Sequence, residues 1–343
     1  MNKKTISVLF MFLLCVLPFS NSAAQQQPVV IKLATLAPEG TIFYEALLKM
    51  ANEWSRLSNG AVQLKIYAGG IAGSEQDMVR KIRIGQLHAA TISAIGMMQI
   101  DPSYAALQVP GMMSAYDELD YCRQQLAPLI EKRFADKGFV IVNYGDLGYM
   151  YFYTSQKTQS IAELQKKKIC TFAGDQASKE IWARAGFNAV DIPLSEMLTA
   201  LQTGLIDGFM DTPVFALSLQ LFAKAKNMIN VHYGIAIAAT IIQKSQWDKI
   251  NPELQKKLLK ASGDLAAEMK GEVRGMDEKA IAEMKKYGLE ITEVSPGDAP
   301  AWIEPLQKIY PEIREKLIPK DIFDKTIELR NQFRAQKKQT SSQ

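Results

Sequence analysis

The chain reads as an α/β protein with mainly parallel sheets, and three features of the sequence carry that reading. Strand-like apolar runs alternate with helical patterns along nearly the whole length. The run from Ser195 to Pro213, SEMLTALQTGLIDGFMDTP, is a short amphipathic helix ended by Gly204, then a tight Asp207-Gly208 turn and a strand. Such a unit sets Phe209, Met210 and Asp211 at a strand terminus, where open α/β sheets receive ligands. The segment 252–287 is an almost uninterrupted helical pattern.

Taken in order, VVIKLATL (29–36) is a strand, followed by a turn at Pro38-Glu39-Gly40. A helix over about 42–57 places Ala46, Leu47, Met50 and Trp54 on one face. Asn59-Gly60 ends it, and AVQLKIYA (61–68) is the next strand. Gly69-Gly70 and Gly73-Ser74 follow, with Ser74 suited to cap a helix over 75–85. LHAATISAI (87–95) is a third strand, VPGMM (109–113) a loop, 117–135 a helix and FVIVNYG (139–145) a strand. Further strands are expected near 149–154, 168–172, 188–192, 205–210 and 235–242. Helices are expected over 161–165, 175–185 and 195–203 and near 213–223. At 1.5 Å per residue the pattern of 252–287 extends on the order of 50 Å, more than the width of a small domain. Gly263, Gly271 and Gly275 are where it would bend, and two helices broken near Gly271–Gly275 are the alternative to one continuous beam. After Arg334 the polar QKKQTSSQ offers nothing apolar to dock, so a disordered tail is expected.

Residues 1–24 have the layout of a secretory signal: basic Lys3 and Lys4, an apolar stretch from Ile6 to Leu17, and small residues Ser22-Ala23-Ala24 before a cleavage point near Ala24. Cys15 lies within the apolar stretch, but the preceding Phe-Leu-Leu lacks the small residue a lipidation site uses. The expected mature protein is exported and soluble. It carries 40 less two, or 38, basic residues against 36 acidic, a balance that argues against a nucleic-acid partner. Cys122 and Cys170 remain, and both read as small buried hydrophobes.

Enzymatic chemistry finds little footing. The two histidines, His88 and His232, are far apart, and His88 alternates with apolar residues as a structural side chain would. There is no HExxH, CxxC or GxSxG, and AGGIAGSEQ (68–76) lacks both the Gly-Lys-Ser/Thr of a P-loop and GxGxxG spacing. No metal and no cofactor are expected.

Three stretches, LATLAPEGT (33–41), NGAVQLKIYAGGIAGSEQDMVRKIRIGQLHAA (59–90) and ALQTGLIDG (200–208), resemble in sequence and order the extracytoplasmic solute receptors of TRAP transporters, the DctP type. The resemblance extends over nearly all of 29–320, with Gln108-Val109-Pro110 in place of the family's LP-F loop. It implies a two-domain periplasmic binding protein fold, with hinge strands and a long helix spanning both domains. The domains would be 25–148 plus 235–270 and 149–234 plus 271–325, leaving 326–343 as a helix end and tail. It also implies a periplasmic receptor that hands a small-molecule ligand to TRAP membrane permease subunits without ATP. An additional helical-repeat periplasmic partner is allowed by the resemblance. A ligand sensor or an envelope enzyme using the same cleft are the competing classes.

The departures from the family pattern set the site expectations. That family usually clamps a ligand carboxylate with an arginine where this chain has Cys170, and often with a second near Met150, in GYMYFYTS (148–155). Loss of one such bidentate pair in a closed cleft costs several kcal/mol of anion affinity. The expected ligand is therefore lipophilic or largely neutral. A carboxylate held by a different cation, such as Arg80, Arg83 or Lys244, is the alternative. Candidate ligand contacts are Met97, Met112, Tyr149, Met150, Tyr151 and Cys170. Phe172, Leu194, Phe209, Met210 and Asp211 extend the set in the second half, and Glu39, Phe43, Glu75 and Ser93 in the first. The methionines have an equally simple reading as core, and Glu39 and Glu75 as helix-start residues.

Overall fold

The first strand, β1 (Val29–Thr35), alternates buried and partly exposed residues at its start and ends wholly buried, as a strand entering a covered sheet must. A computed structural model describes residues 27–172 and 176–341, so the signal segment 1–24 with Cys15 lies outside the described residues. Next come α1 (Ile42–Leu57), β2 (Val62–Tyr67), α2 (Glu75–Arg83), β3 (Ala89–Ser93) and α3 (Ala94–Met98). Thr41 caps α1, and Ser74 caps α2 in a reciprocal box with Asp77. A 3-10 turn at Pro102–Leu107 leads to α4 (Tyr116–Asp136) and β4 (Phe139–Thr154). The chain continues through α5 (Ile161–Lys166), β5 (Lys168–Phe172), α6 (Gln176–Arg184), β6 (Asn188–Ile192), α7 (Met197–Thr203), β7 (Gly208–Asp211) and α8 (Pro213–Ser218). It closes with β8 (Asn227–Ile229), β9 (Gly234–Gln243), α9 (Lys244–Trp247), α10 (Pro252–Arg274), α11 (Met276–Lys286) and β10 (Glu290–Thr292). Three last helices follow, α12 (Ala299–Lys308), α13 (Tyr310–Lys316) and α14 (Lys320–Ser341).

The strand order β2-β1-β3-β9-β4-β7-β5-β6 makes one open sheet, with β8 beside β4 and β10 beyond β8. The flanks pair in parallel, and every antiparallel pairing involves β4 or β9. β4 serves both halves: Phe139 to Met150 pair with β9, and Tyr151 to Thr154 pair with β7. The sequence suggests two strands here, split at Gly145-Asp146-Leu147-Gly148. Instead the ladder to β9 persists through that stretch with a register shift between Asp146 and Gly148, because cross-strand pairing overrides local propensity.

The expected beam is divided by a single residue. α10 packs on α1 and β4, α11 packs on α8, and Gly275 interrupts them while its N–H still reaches Gly271 O at 3.3 Å. Trp54 Nε1 donates to Ser262 Oγ (2.9 Å), which fixes α10 on α1. The tail also departs from expectation: α14 continues to Ser341. Polar groups tether its last turns, since Arg334 pairs with buried Glu118 and Lys337 with Asp117 on α4. Apolar content, the criterion used on the sequence, missed this anchoring.

Side chains tie together three stretches that pass between the two halves of the sheet: β4, the approach to β9 and the α10–α11 junction. Asp277, two residues past the Gly275 break, accepts the N–H of Tyr149 in β4 (2.7 Å). His232, ahead of β9, stacks on Tyr149 with ring centroids 4.0 Å apart and shares a 2.8 Å hydrogen bond with the Tyr151 hydroxyl. Arg274 Nε donates to Asp146 (2.8 Å). Gly148 is required here, because its φ is +128° and a Cβ would sit 2.6 Å from Asp277 Oδ1. Gly148→Ala is expected to lower unfolding stability by roughly 1–3 kcal/mol, read from denaturant melts, through both backbone strain and displacement of Asp277.

Candidate functional site

The parallel strands β1, β3 and β5, together with β7, aim their C-terminal ends at one cleft of ≈ 1190 Å³. Its walls include Thr35 and Leu36, Ser93, Thr171, and Met210 to Thr212 from those ends. β4 contributes Asn143 to Leu147 and Met150, β9 contributes Ala236, Ala238 and Thr240, and α10 contributes Met269 and Lys270. Ligand space at the carboxyl ends of strands, at the junction of two sheet halves, is what this topology provides.

The acidic groups of the wall are Glu75, Asp146 and Asp211, set among hydroxyl and amide side chains such as Thr91, Gln108, Asn143 and Thr240. Glu75 opens α2 and is buried; its Oε1 accepts the Ser93 N–H (2.7 Å), and its Oε2 accepts the Ser93 hydroxyl (2.7 Å) and the Gly96 N–H (2.9 Å). Gly96 makes this possible, since a Cβ there would fall 2.9 Å from the Glu75 side chain. Burial raises the Glu75 pKa, and its three hydrogen-bond donors pull it back only in part. Across the cleft, Asp211 ends β7 and accepts the Thr212 N–H through Oδ1 (2.7 Å). Burial, with the charge of Glu75 as a lesser cause, pushes the Asp211 carboxyl up to about 7. Asp146 is neutralised by Arg123 and Arg274. Cys170 is buried and free, with its thiol pushed up to about 12 by burial, so it forms a neutral wall.

Among the described residues lining the cleft, the one cation is Lys270, whose Nζ lies 2.9 Å from Asp120. The basic residues weighed on the sequence do not line the cleft. Arg80 pairs with Asp77 (2.7 Å), Arg83 donates to Gln99 O (2.7 Å), and Lys244 pairs with Asp248 (2.6 Å).

The expected contacts divide. Phe43, Glu75, Ser93, Met150, Cys170, Leu194, Met210 and Asp211 all line the cleft. Met97, Met112 and Phe209 do not; each is buried in the core, Phe209 stacking on Tyr153 at 5.0 Å. Strand alternation explains Phe209, which faces away from its neighbour Met210. Tyr149 and Tyr151 are taken by the His232 cluster, and Glu39 is exposed on the turn before α1. The Phe172 side chain lies outside the described residues. The sequence reading missed Asn143, Asp146, Lys270 and the α6 and α13 walls. Of these only the Asp146 segment carried a signal, a polar residue between two glycines in an apolar strand.

Comparison with known proteins gives a consistent picture. The model of the family described as bacterial extracellular solute-binding protein, family 7, matches residues 33–317. A C4-dicarboxylate-binding periplasmic protein of Rhodobacter capsulatus is 21% identical over 86% of this chain and 89% of its own. The sialic acid-binding periplasmic protein of Vibrio cholerae is 21% identical over 91% and 94%. Among solved structures, a TRAP periplasmic solute binding protein from Chromohalobacter salexigens with bound D-glucuronate superposes with a TM-score of 0.80 at 18% identity, covering 88% of this chain and 99% of that one. One from Sulfurospirillum deleyianum with bound succinate gives 0.77 at 20% identity, covering 87% and 97%.

A pH signature follows from Asp211. Its folded-state pKa is raised, so the stability it permits is present below the ordinary aspartate value near 4 and is lost as pH rises through about 7. The melting temperature of Asp211→Asn minus that of the wild type is therefore expected to rise between about pH 4 and 7 and level off above. A flat difference would show Asp211 already ionised at low pH.

Proposed function

Because the chain belongs to the family of bacterial extracellular solute-binding proteins, family 7, we propose that it is the periplasmic receptor of a TRAP-type transporter, selective for a lipophilic or largely neutral ligand. It captures the ligand between two lobes and delivers it to membrane permease subunits. The lobes are 25–148 plus 235–270 and 149–234 plus 271–325, and the segment 1–24 is a signal removed on export. Closure bends the chain at the β4 register shift, at the entry to β9 and at Gly275, with Asp277 and His232 keeping the three crossings in step.

The observation that carries the ligand assignment is that, among the described residues of the cleft wall, there is no unpaired cation. The cleft wall holds three carboxyl groups, Glu75, Asp146 and Asp211, against Lys270, which is already paired. Residues 173–178, Ala-Gly-Asp-Gln-Ala-Ser, add no basic side chain. A uronate or dicarboxylate entering such a cleft loses its hydration without a guanidinium in exchange. An apolar ligand gains from Phe43, Leu194, Met150 and Met210 and asks only for hydrogen bonds from the acids. Solvent extraction of the purified protein, followed by mass spectrometry, is expected to release a neutral or lipophilic compound in stoichiometric amount. A stoichiometric uronate or dicarboxylate would defeat the assignment. Conversely, Cys170→Arg is expected to confer D-glucuronate binding, seen by calorimetry, that the wild type lacks.

A second reading has one specific support. Arg274 also holds Asp120, through Nη2 at 2.7 Å, so Lys270 can leave that carboxylate without stranding it. Lys270 would then be the cation for a ligand carboxylate of the kind carried by the uronates and succinate bound in the similar structures. On that reading the wild type binds glucuronate or succinate in calorimetry and Lys270→Met does not.

A further inference from the structure

One end of the cleft is walled by side chains that have no part in holding a polar group. Ile181 and Trp182 of α6 meet Ile313 and Leu317 of α13 and the adjoining Ile318, and all five border the same cavity as Glu75 and Asp211. The wall is continuous with the polar end. Met210, next to Asp211 in β7, pairs in register with Phe152, and Phe152 holds the Trp182 ring edge-on at 5.6 Å. The position of α13 is fixed independently, by the Tyr310 hydroxyl on Pro110 O (2.9 Å). On the outer side of Ile181, Ile313 and Leu317 there is only a crevice of ≈ 10 Å³, bridged by the Arg184–Glu312 ion pair.

We propose that this end is a tail subsite and that the ligand is an amphiphile. Its polar head bonds in the region of Glu75, Ser93, Asp211 and Thr212, and its extended apolar part lies within the cleft along the wall formed by Ile181, Trp182, Ile313, Leu317 and Ile318. The proposal rests on the apolar-ligand reading above and adds a direction and a length to it. A cavity of ≈ 1190 Å³ exceeds the roughly 300–1,000 Å³ of ordinary small-molecule sites. Water gains little from an aliphatic and indole wall without polar partners, whereas a hydrocarbon chain gains about fourfold in affinity for each methylene it buries there.

The test uses the mature protein and displacement of N-phenyl-1-naphthylamine fluorescence by straight-chain 1-alkanols from hexanol to dodecanol. In the wild type, affinity is expected to climb about fourfold per added carbon and then level off when the subsite is full. Ile181→Trp, which fills the subsite, should bring the plateau to a shorter alcohol, and Leu317→Ala, which enlarges it, to a longer one. Opposite shifts in two variants exclude a general loss of folding, which circular dichroism checks separately. An unchanged plateau in both variants overturns the tail subsite while leaving an apolar-ligand receptor intact. Failure of any alcohol to compete in the wild type overturns the apolar-ligand reading itself, and the tail subsite with it.

Discussion

One strand, β4, belongs to both halves of this molecule, and the geometry of the cleft follows from how its backbone is satisfied along the way. Its first part is paired to β9 and its last residues to β7, so every main-chain group must find a partner while the strand changes neighbours. The register shift at Asp146–Gly148 is where the exchange is prepared, and the N–H of Tyr149 just beyond it is taken by a carboxylate from a helix. That helix residue, Asp277, stands beside the Gly275 break, and the Tyr149 ring is held by His232 from the approach to β9. The connections between the halves are thus coupled through one aromatic and acidic cluster. A bend in one cannot occur without repacking the others, which suits a receptor whose states are few and discrete.

Burial sets the electrostatics of the cleft. Burial dominates the behaviour of Glu75, Asp211 and Cys170 alike, moving each toward its neutral form. Asp146 and Asp120 are paired within the protein, to Arg123, Arg274 and Lys270. The remaining wall mixes aliphatic, aromatic and thioether side chains with the hydroxyls and amides of residues such as Thr91, Gln108, Asn143 and Thr240. The fold shared with uronate and succinate receptors accordingly supplies position and hinge, while the side chains at the strand ends select what is held.

Much of the fold was legible in the sequence, because the alternation of strand and helix, the Ser74 cap and the Gly204 stop are local signals with local causes. The short strands β8 and β10 were not, since three residues carry no period; nor was the unity of β4, which reads as two strands, 139–145 and 149–154, until pairing to β9 joins them. Cleft-lining residues followed the same divide. Ser93, Glu75 and Asp211 sit at element ends and were found from pattern and resemblance. Lys270 and the α13 wall were not, because they come from distant segments with ordinary helical sequence.

By itself, then, the chain determined its alternating layers and the placing of Met210 and Asp211 at a strand end. Tertiary structure alone decided which side of each strand faced the cleft, turning Phe209 inward and Met210 outward. It also decided which charges were already spent, and it brought α13 against α6. The physical reason is range: caps, turns and periodicity are settled within a few residues, whereas burial and charge pairing depend on partners more than a hundred positions away.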